Sequence, residues 1–255
     1  MCKDACVKAL LSLSLTPAGK IIDSFTQDMK LVKNNPELLQ TFYDYISEKY
    51  RIKCEAGIAL VEKMTITNRF NELMDINDST NQLINKKLIL YKWIKPEHLE
   101  LGINNESLEH LFPLFEAIAS LSTPTEKIIH LMQIIEKLYG TIGQHENQGE
   151  MLSAIIYCIV KSSVPNIYLE VQFMVKYRRR IVDICMPECL HGIGISIHCN
   201  CPAPRMYGEK EITYYLTSFQ AAIDFIRRME YYDLKINESE FHRNIMEAIK
   251  LVKDF

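Results

Sequence analysis

Apolar residues recur along almost the whole chain at the three-to-four-residue spacing of one helix face. No stretch alternates apolar and polar residues as a half-buried strand does. The pattern predicts an all-α fold. Its clearest helix starts at Thr123-Pro124-Thr125-Glu126, which offers an N-cap hydroxyl, a proline at the first helical position and a glutamate at the third. That helix places Ile128, Met132, Ile135 and Tyr139 on one face and is expected to stop at Gly140. Thr217-Ser218-Phe219-Gln220 reads as a second capping box, with Leu216 as the outer half of a hydrophobic staple and Phe219, Ala222, Ile223 and Ile226 aligned behind it. Between the two, Leu152, Ile155, Ile156 and Ile159 mark a helix over 151–161. "SSVP" ends it, because proline disfavours helical geometry in the residue before it. Ile167, Val171, Met174 and Val175 mark another, and Asn237 with Glu240 starts a last one through Phe241, Ile245 and Ile249.

The first half shows softer helical stretches over 19–33, 36–51 and 57–75. After the polar run "DINDSTNQ", a further helix leads into "LYKWIKPEHLELGI". The expected organisation is an N-terminal helical bundle over 1–105 and a second helical domain over 106–255.

Charge and composition narrow the function. With 29 basic and 32 acidic residues the net charge is −3, so no global field draws the chain to nucleic acid. No apolar run approaches the roughly 18 residues of a membrane span. The N-terminal "MCKDACVKALLSLSLTPAGK" lacks the basic region and cleavage site of a secretory signal. Eight irregularly spaced cysteines in 255 residues do not make a disulfide scaffold, and a reduced, cytoplasmic setting is expected. "TPAGKII" has a Gly-Lys pair but no glycine five residues earlier, so the chain is not expected to cradle nucleotide itself, and no cofactor is expected.

Four constellations stand out. Tyr214 and Tyr215 lie directly before the second box. Both rings pack locally, or, in an extended segment, one faces in and the other out towards a partner. Glu150 opens the 151–161 helix, where complementing the positive end of the helix dipole suffices to explain it. Cys185, Cys189, Cys199 and Cys201, with His191 and His198, supply zinc-type donors, but at C-x3-C and C-x-C spacings foreign to common fingers. The stretch reads either as a zinc site or as an irregular insertion without a ligand. The basic run "KYRRR" at 176–180 reads as a solvated face, with an acidic partner or anionic lipid as the alternative.

In order, "WIKPEHL", "TPTEKIIHLMQIIEKLY", "EMLSAIIYCIVKSSVPNI" and "GEKEITYYLTSFQAAIDFI" resemble the vacuolar-protein-sorting-nine domain over roughly residues 85–250. That family comprises guanine-nucleotide exchange factors for early-endosomal Rab GTPases of the Rab-five subfamily, all-helical and usually preceded by a helical bundle. The resemblance implies that Glu150 is the acidic group reaching the GTPase phosphate site and pairing with its phosphate-binding lysine. It implies that Tyr215 contacts the switch regions while Tyr214 supports the fold and Thr217 caps the helix. Leu152, Ile156 and Phe219 would line or support the switch groove, and Pro165 matches the family's turn proline. Glu150 stands where the family has aspartate, Ser153 where it has proline, and Leu169 and Glu170 where small polar residues and asparagine are usual. Residues 181–207 are longer than the usual connection. The implied setting is cytoplasmic with recruitment to early endosomes. The alternative role is a module that binds a GTPase or trafficking protein without catalysing exchange.

Overall fold

The structure is a computed structural model and describes residues 12–52, 55–143, 148–180 and 207–253. Every regular element among them is a helix, as the periodicity predicts. Besides short 3-10 turns at Thr26–Asp28 and Ile118–Ser120, these are in chain order α1 (Pro17–Phe25), α2 (Met29–Asn34), α3 (Glu37–Tyr50), α4 (Glu55–Ile66), α5 (Phe70–Leu73), α6 (Ser79–Leu90) and a 3-10 turn at Pro96–Leu99. There follow α7 (Asn105–Glu109), α8 (Phe112–Ala117), α9 (Pro124–Ile142), α10 (Gln148–Ser162), α11 (Ile167–Tyr177), α12 (Glu209–Arg228), a 3-10 turn at Tyr231–Asp233 and α13 (Glu238–Lys253).

Local chemistry explains most boundaries. The Thr123 box is present in both directions: Glu126 N donates to Thr123 Oγ1 (3.2 Å), and Thr123 N donates to Glu126 Oε2 (3.3 Å). The helix does not stop at Gly140. It runs on to Gly143, whose φ of 104° is the left-handed geometry that closes it. Gly140 has open space where a Cβ would lie, so it is merely tolerated in the helix. Ser163 at φ 50° ends α10 just before the proline, as expected. Asn237 caps α13 by accepting from Glu240 N at 2.8 Å.

The second predicted box is a misreading. α12 begins at Glu209, so Thr217 is no N-cap but a mid-helix residue whose hydroxyl donates to Thr213 O (2.8 Å). One unbroken stripe of Ile212, Leu216, Phe219, Ile223 and Ile226 is buried along this helix. Burying that stripe outweighs the local preference of a Thr-x-x-Gln box to start a new helix. Tyr214 and Tyr215 therefore lie on a helix and not in an extended segment.

The chain divides into two compact units. One takes the described residues of Met1–Asp75, Ser122–Lys127 and Phe173–Glu209; the other takes those of Ile76–Leu121, Ile128–Gln172 and Lys210–Phe255. In the first, Phe25 stacks on Phe42 at 3.8 Å and Phe70 meets Phe173 edge-on at 5.1 Å. Its three stretches converge on one carboxylate, Glu62, which is 1% exposed. Glu62 Oε1 accepts from Thr125 N (3.1 Å), and Oε2 accepts from Arg179 Nε (2.8 Å). Burial pushes the Glu62 carboxyl up, and the Arg179 guanidinium and Thr125 pull it back. The basic run is thus not simply a solvated face. Tyr177 and Arg179 are buried, and Arg178 pairs with Glu209 at 2.5 Å.

In the second unit Phe115 stacks against Phe219 (5.9 Å). The turn after Pro165 is pinned to α6: Asn166 Oδ1 accepts from both Asn81 Nδ2 and Asn85 Nδ2 at 2.9 Å, while Asn166 N donates to Asn85 Oδ1 at 3.2 Å. Tyr91 Oη donates to Met229 O at 2.9 Å, and Phe241 packs against Tyr91 and Trp93. No described helix is long and apolar enough to cross a membrane.

Removing Arg179 leaves a buried carboxylate without its counter-charge. Arg179→Ala is expected to cost about 3–5 kcal/mol. The double variant Glu62→Gln/Arg179→Met, which removes both charges, should be the more stable of the two. Chemical denaturation followed by circular dichroism compares them; equal midpoints contradict the ion-pair account.

Candidate functional site

Glu150 lies in the first turn of α10, where the helix dipole favours a negative charge. The helix exists because Ala154, Ile155, Cys158 and Ile159 are fully buried on one side. Its other side, with Glu150, Leu152, Ser153 and Ile156, forms one wall of a groove of about 780 Å³. Leu152 and Ser153 are half-buried and Ile156 is buried at its floor. A Cβ added at Gly102 would lie 3.9 Å from Glu150 Oε1, so the chain passes close to the carboxylate there. Among the described residues no cation is paired with it.

The rest of the groove's lining is not among the residues expected from the sequence. His98, Leu99 and Glu100, from the 3-10 turn packed against α10 and the residue after it, line the groove too, with Tyr232, Asp233, Leu234 and Lys235, and Phe225 of α12 completes the lining. Lys235 N donates to His98 O (2.8 Å), and Lys235 Nζ pairs with Glu100 (3.1 Å). His98 is buried, its ring edge-on to Trp93 at 5.5 Å, and its Nδ1 accepts from Lys95 N at 3.1 Å. Burial lowers the His98 pKa from its ordinary value, with Glu97 and Glu240 opposing the shift and Lys95 and Lys161 reinforcing it. The one local signal that could have drawn attention to this lining is a second tyrosine doublet, Tyr231-Tyr232, which the sequence reading passed over.

The other expected site residues lie elsewhere. Tyr215 is half-buried on α12 and bonds Tyr139 through the two hydroxyls at 3.1 Å; the rings meet edge-on at 6.2 Å. Burial, then the Tyr139 hydroxyl, pushes the Tyr215 pKa up. Tyr214 is the outward ring, 47% exposed, which corrects the expectation that it supports the fold from inside. Phe219 is fully buried against Phe115, and Leu169 is buried as well. Glu170 is buried. Pro165 is exposed on the turn between α10 and α11. Cys185, Cys189, Cys199 and Cys201, and all of the 181–207 insertion except Tyr207, lie outside the described residues. Among the described residues no His, Cys, Asp or Glu cluster is arranged to hold a metal ion.

Residues 108–231 match the family model for the Vacuolar sorting protein 9 (VPS9) domain. That segment is a VPS9 domain. The chain is 19% identical over 286 residues to vacuolar protein sorting-associated protein vps901 of Schizosaccharomyces pombe, covering 97% of this chain and 45% of that protein. It is 20% identical over 233 residues to the Rab5 GDP/GTP exchange factor of Mus musculus, covering 83% and 43%. With vacuolar protein sorting-associated protein 9A of Arabidopsis thaliana it shares 22% over 203 residues, covering 74% and 34%. The chain spans less than half the length of these relatives. Glu150, Leu152, Ser153, Ile156 and Tyr215 fall inside the VPS9 segment, whereas His98–Glu100 and Tyr232–Lys235 fall outside it.

His98 yields a pH prediction. Its folded pKa is depressed, so its contribution is fully present above the unfolded value near 6.5 and is lost as pH falls through the folded value. The thermal midpoint of the parent should therefore fall more than that of His98→Asn between about pH 7.5 and about pH 5.5. Asparagine keeps an acceptor for Lys95 N without titrating. Parallel melting curves for the two proteins contradict the assignment.

Proposed function

We propose that the chain is a guanine-nucleotide exchange factor that accelerates GDP release from a small GTPase of the Rab-five subfamily. The observation that carries this reading is Glu150: a carboxylate in the first turn of α10, at a groove with an apolar floor, inside a VPS9 domain. The names of the relatives, which include Rab5 GDP/GTP exchange factors, support the same partner class.

In this reading the carboxylate pairs with the phosphate-binding lysine of the GTPase and replaces the counter-charge supplied by the nucleotide phosphates. Leu152 and Ile156 receive the apolar switch segment, and Tyr215, steadied by Tyr139, contacts the switch region. No covalent step and no cofactor of the chain's own are required. GDP and magnesium hold the switches in one arrangement and the exchange factor binds another. By linkage, tight binding of the nucleotide-free GTPase lowers nucleotide affinity by the same factor. The working place is the cytoplasm, with recruitment to early endosomes where such GTPases act.

One feature favours a second reading. Glu150 is one methylene longer than the aspartate usual at this position, and a shift of about 1 Å is enough to impair a positioned group. A module so altered binds a GTPase without exchanging its nucleotide.

Release of fluorescent GDP from a panel of Rab-five-subfamily GTPases separates the two. Glu150→Ala should slow stimulated release by about 30- to 5,000-fold, the range expected when one member of a desolvated charge pair is removed. Tyr215→Ala should also remove most of the stimulation. Well-folded variants with parental rates refute the exchange assignment. Activity that arises only in Glu150→Asp establishes the binding module.

A further inference from the structure

The part of the groove lining formed by His98–Glu100 and Tyr232–Lys235 lies outside the matched VPS9 segment. Its backbone is held by hydrogen bonds, with an exposed ion pair beside them. Lys235 N donates to His98 O at 2.8 Å and Lys235 Nζ pairs with Glu100 at 3.1 Å, while the 3-10 turn before it is closed by Asp233 N to Glu230 O (3.1 Å) and by Glu230 N to Asp233 Oδ2 (2.9 Å). Just upstream, Tyr91 Oη and Lys87 Nζ both donate to Met229 O, at 2.9 and 3.2 Å.

Tyr232 takes no part in this scaffolding. Its side chain is 71% exposed, and its ring contact among the described residues is with its neighbour Tyr231, edge-on at 5.3 Å. A fixed backbone that holds a large amphipathic ring in water beside an apolar floor has the form of an interface anchor. The ring loses little conformational freedom on binding and has much area to bury. The same lining includes the apolar side chains of Ile156, Phe225 and Leu234. Among the described residues of the lining, Lys235 pairs with Glu100, while Glu150 and Asp233, whose Oδ2 also accepts from Glu230 N, leave the rim net negative.

We infer that Tyr232 is a partner-contacting residue that selects among GTPases. The apolar switch segment of the GTPase lies between Tyr232 and α10, with a basic side chain of the partner against the acidic rim. This rests on the reading that the Glu150 groove receives the GTPase. It adds that this part of the lining, which the family match does not cover, supplies discrimination, while α10 supplies the exchange step.

The test uses the full chain and calorimetric titration with nucleotide-free GTPases of the Rab-five subfamily. Glu150→Ala reports on the reading, Tyr232→Ala on the inference and Tyr232→Phe on the ring alone. Tyr232→Ala should weaken binding of the preferred GTPase by about 10- to 30-fold and level the affinities across the panel. Tyr232→Phe should bind as the parent does, with an unchanged helical circular dichroism signal in both variants. If Glu150→Ala weakens binding and Tyr232→Ala does not, the selecting role is overturned and the groove reading stands. Parental affinity in both alanine variants overturns both, as does failure of the parent to bind any member of the panel.

Discussion

The first unit is organised around the placement of one negative charge. A carboxylate withdrawn from water costs several kcal/mol unless it is paired and hydrogen-bonded. Glu62 meets that requirement with a guanidinium 117 positions away and a backbone amide 63 positions away. Its solvation therefore demands that the chain return twice to α4. The same contact completes the start of α9. Pro124 has no amide hydrogen, Thr125 N donates to Glu62, Glu126 N donates to Thr123 Oγ1, and Lys127 N donates to Thr123 O. The N–H groups that a helix start leaves unpaired are all answered there.

A second carboxylate at a helix start has a different fate. Glu62 meets the positive end of α9 from another element and is consumed by internal partners. Glu150 sits on the first turn of its own helix, half-buried, with the apolar side of α10 turned inward and the carboxylate at a groove. The physical preference is the same in both, a negative charge against aligned peptide dipoles. Burial and partners decide whether that charge serves the fold or remains available to a ligand.

How much of this could be read in the chain depended on how local each cause was. The helical class, the Thr123 box, the stop after Ser162 and the Asn237 cap are set by residues within a turn of each other, and all were legible. The start of α12 was not, because the stripe from Ile212 to Ile226 is rewarded only when other helices cover it, and the Thr217 box gives no sign of that competition. Arg179 looked like one more solvated basic residue because its partner lies in α4. At the site, the α10 wall was legible from a run of neighbouring residues. The rest of the lining joins residues near 98 to residues near 235 through a backbone hydrogen bond, and no short window contains both.

The continuity of α12 has a metrical consequence. Tyr215 and Phe225 stand on one rigid rod, ten residues apart, hence about 15 Å along its axis and about 80° around it. A break at Thr217 would have made that separation adjustable; an uninterrupted rod turns it into a fixed caliper. Any molecule that touches both rings must present its own two contacts at that distance and angle. A single-residue insertion between them would swing one ring about 100° out of alignment without disturbing either one's chemistry.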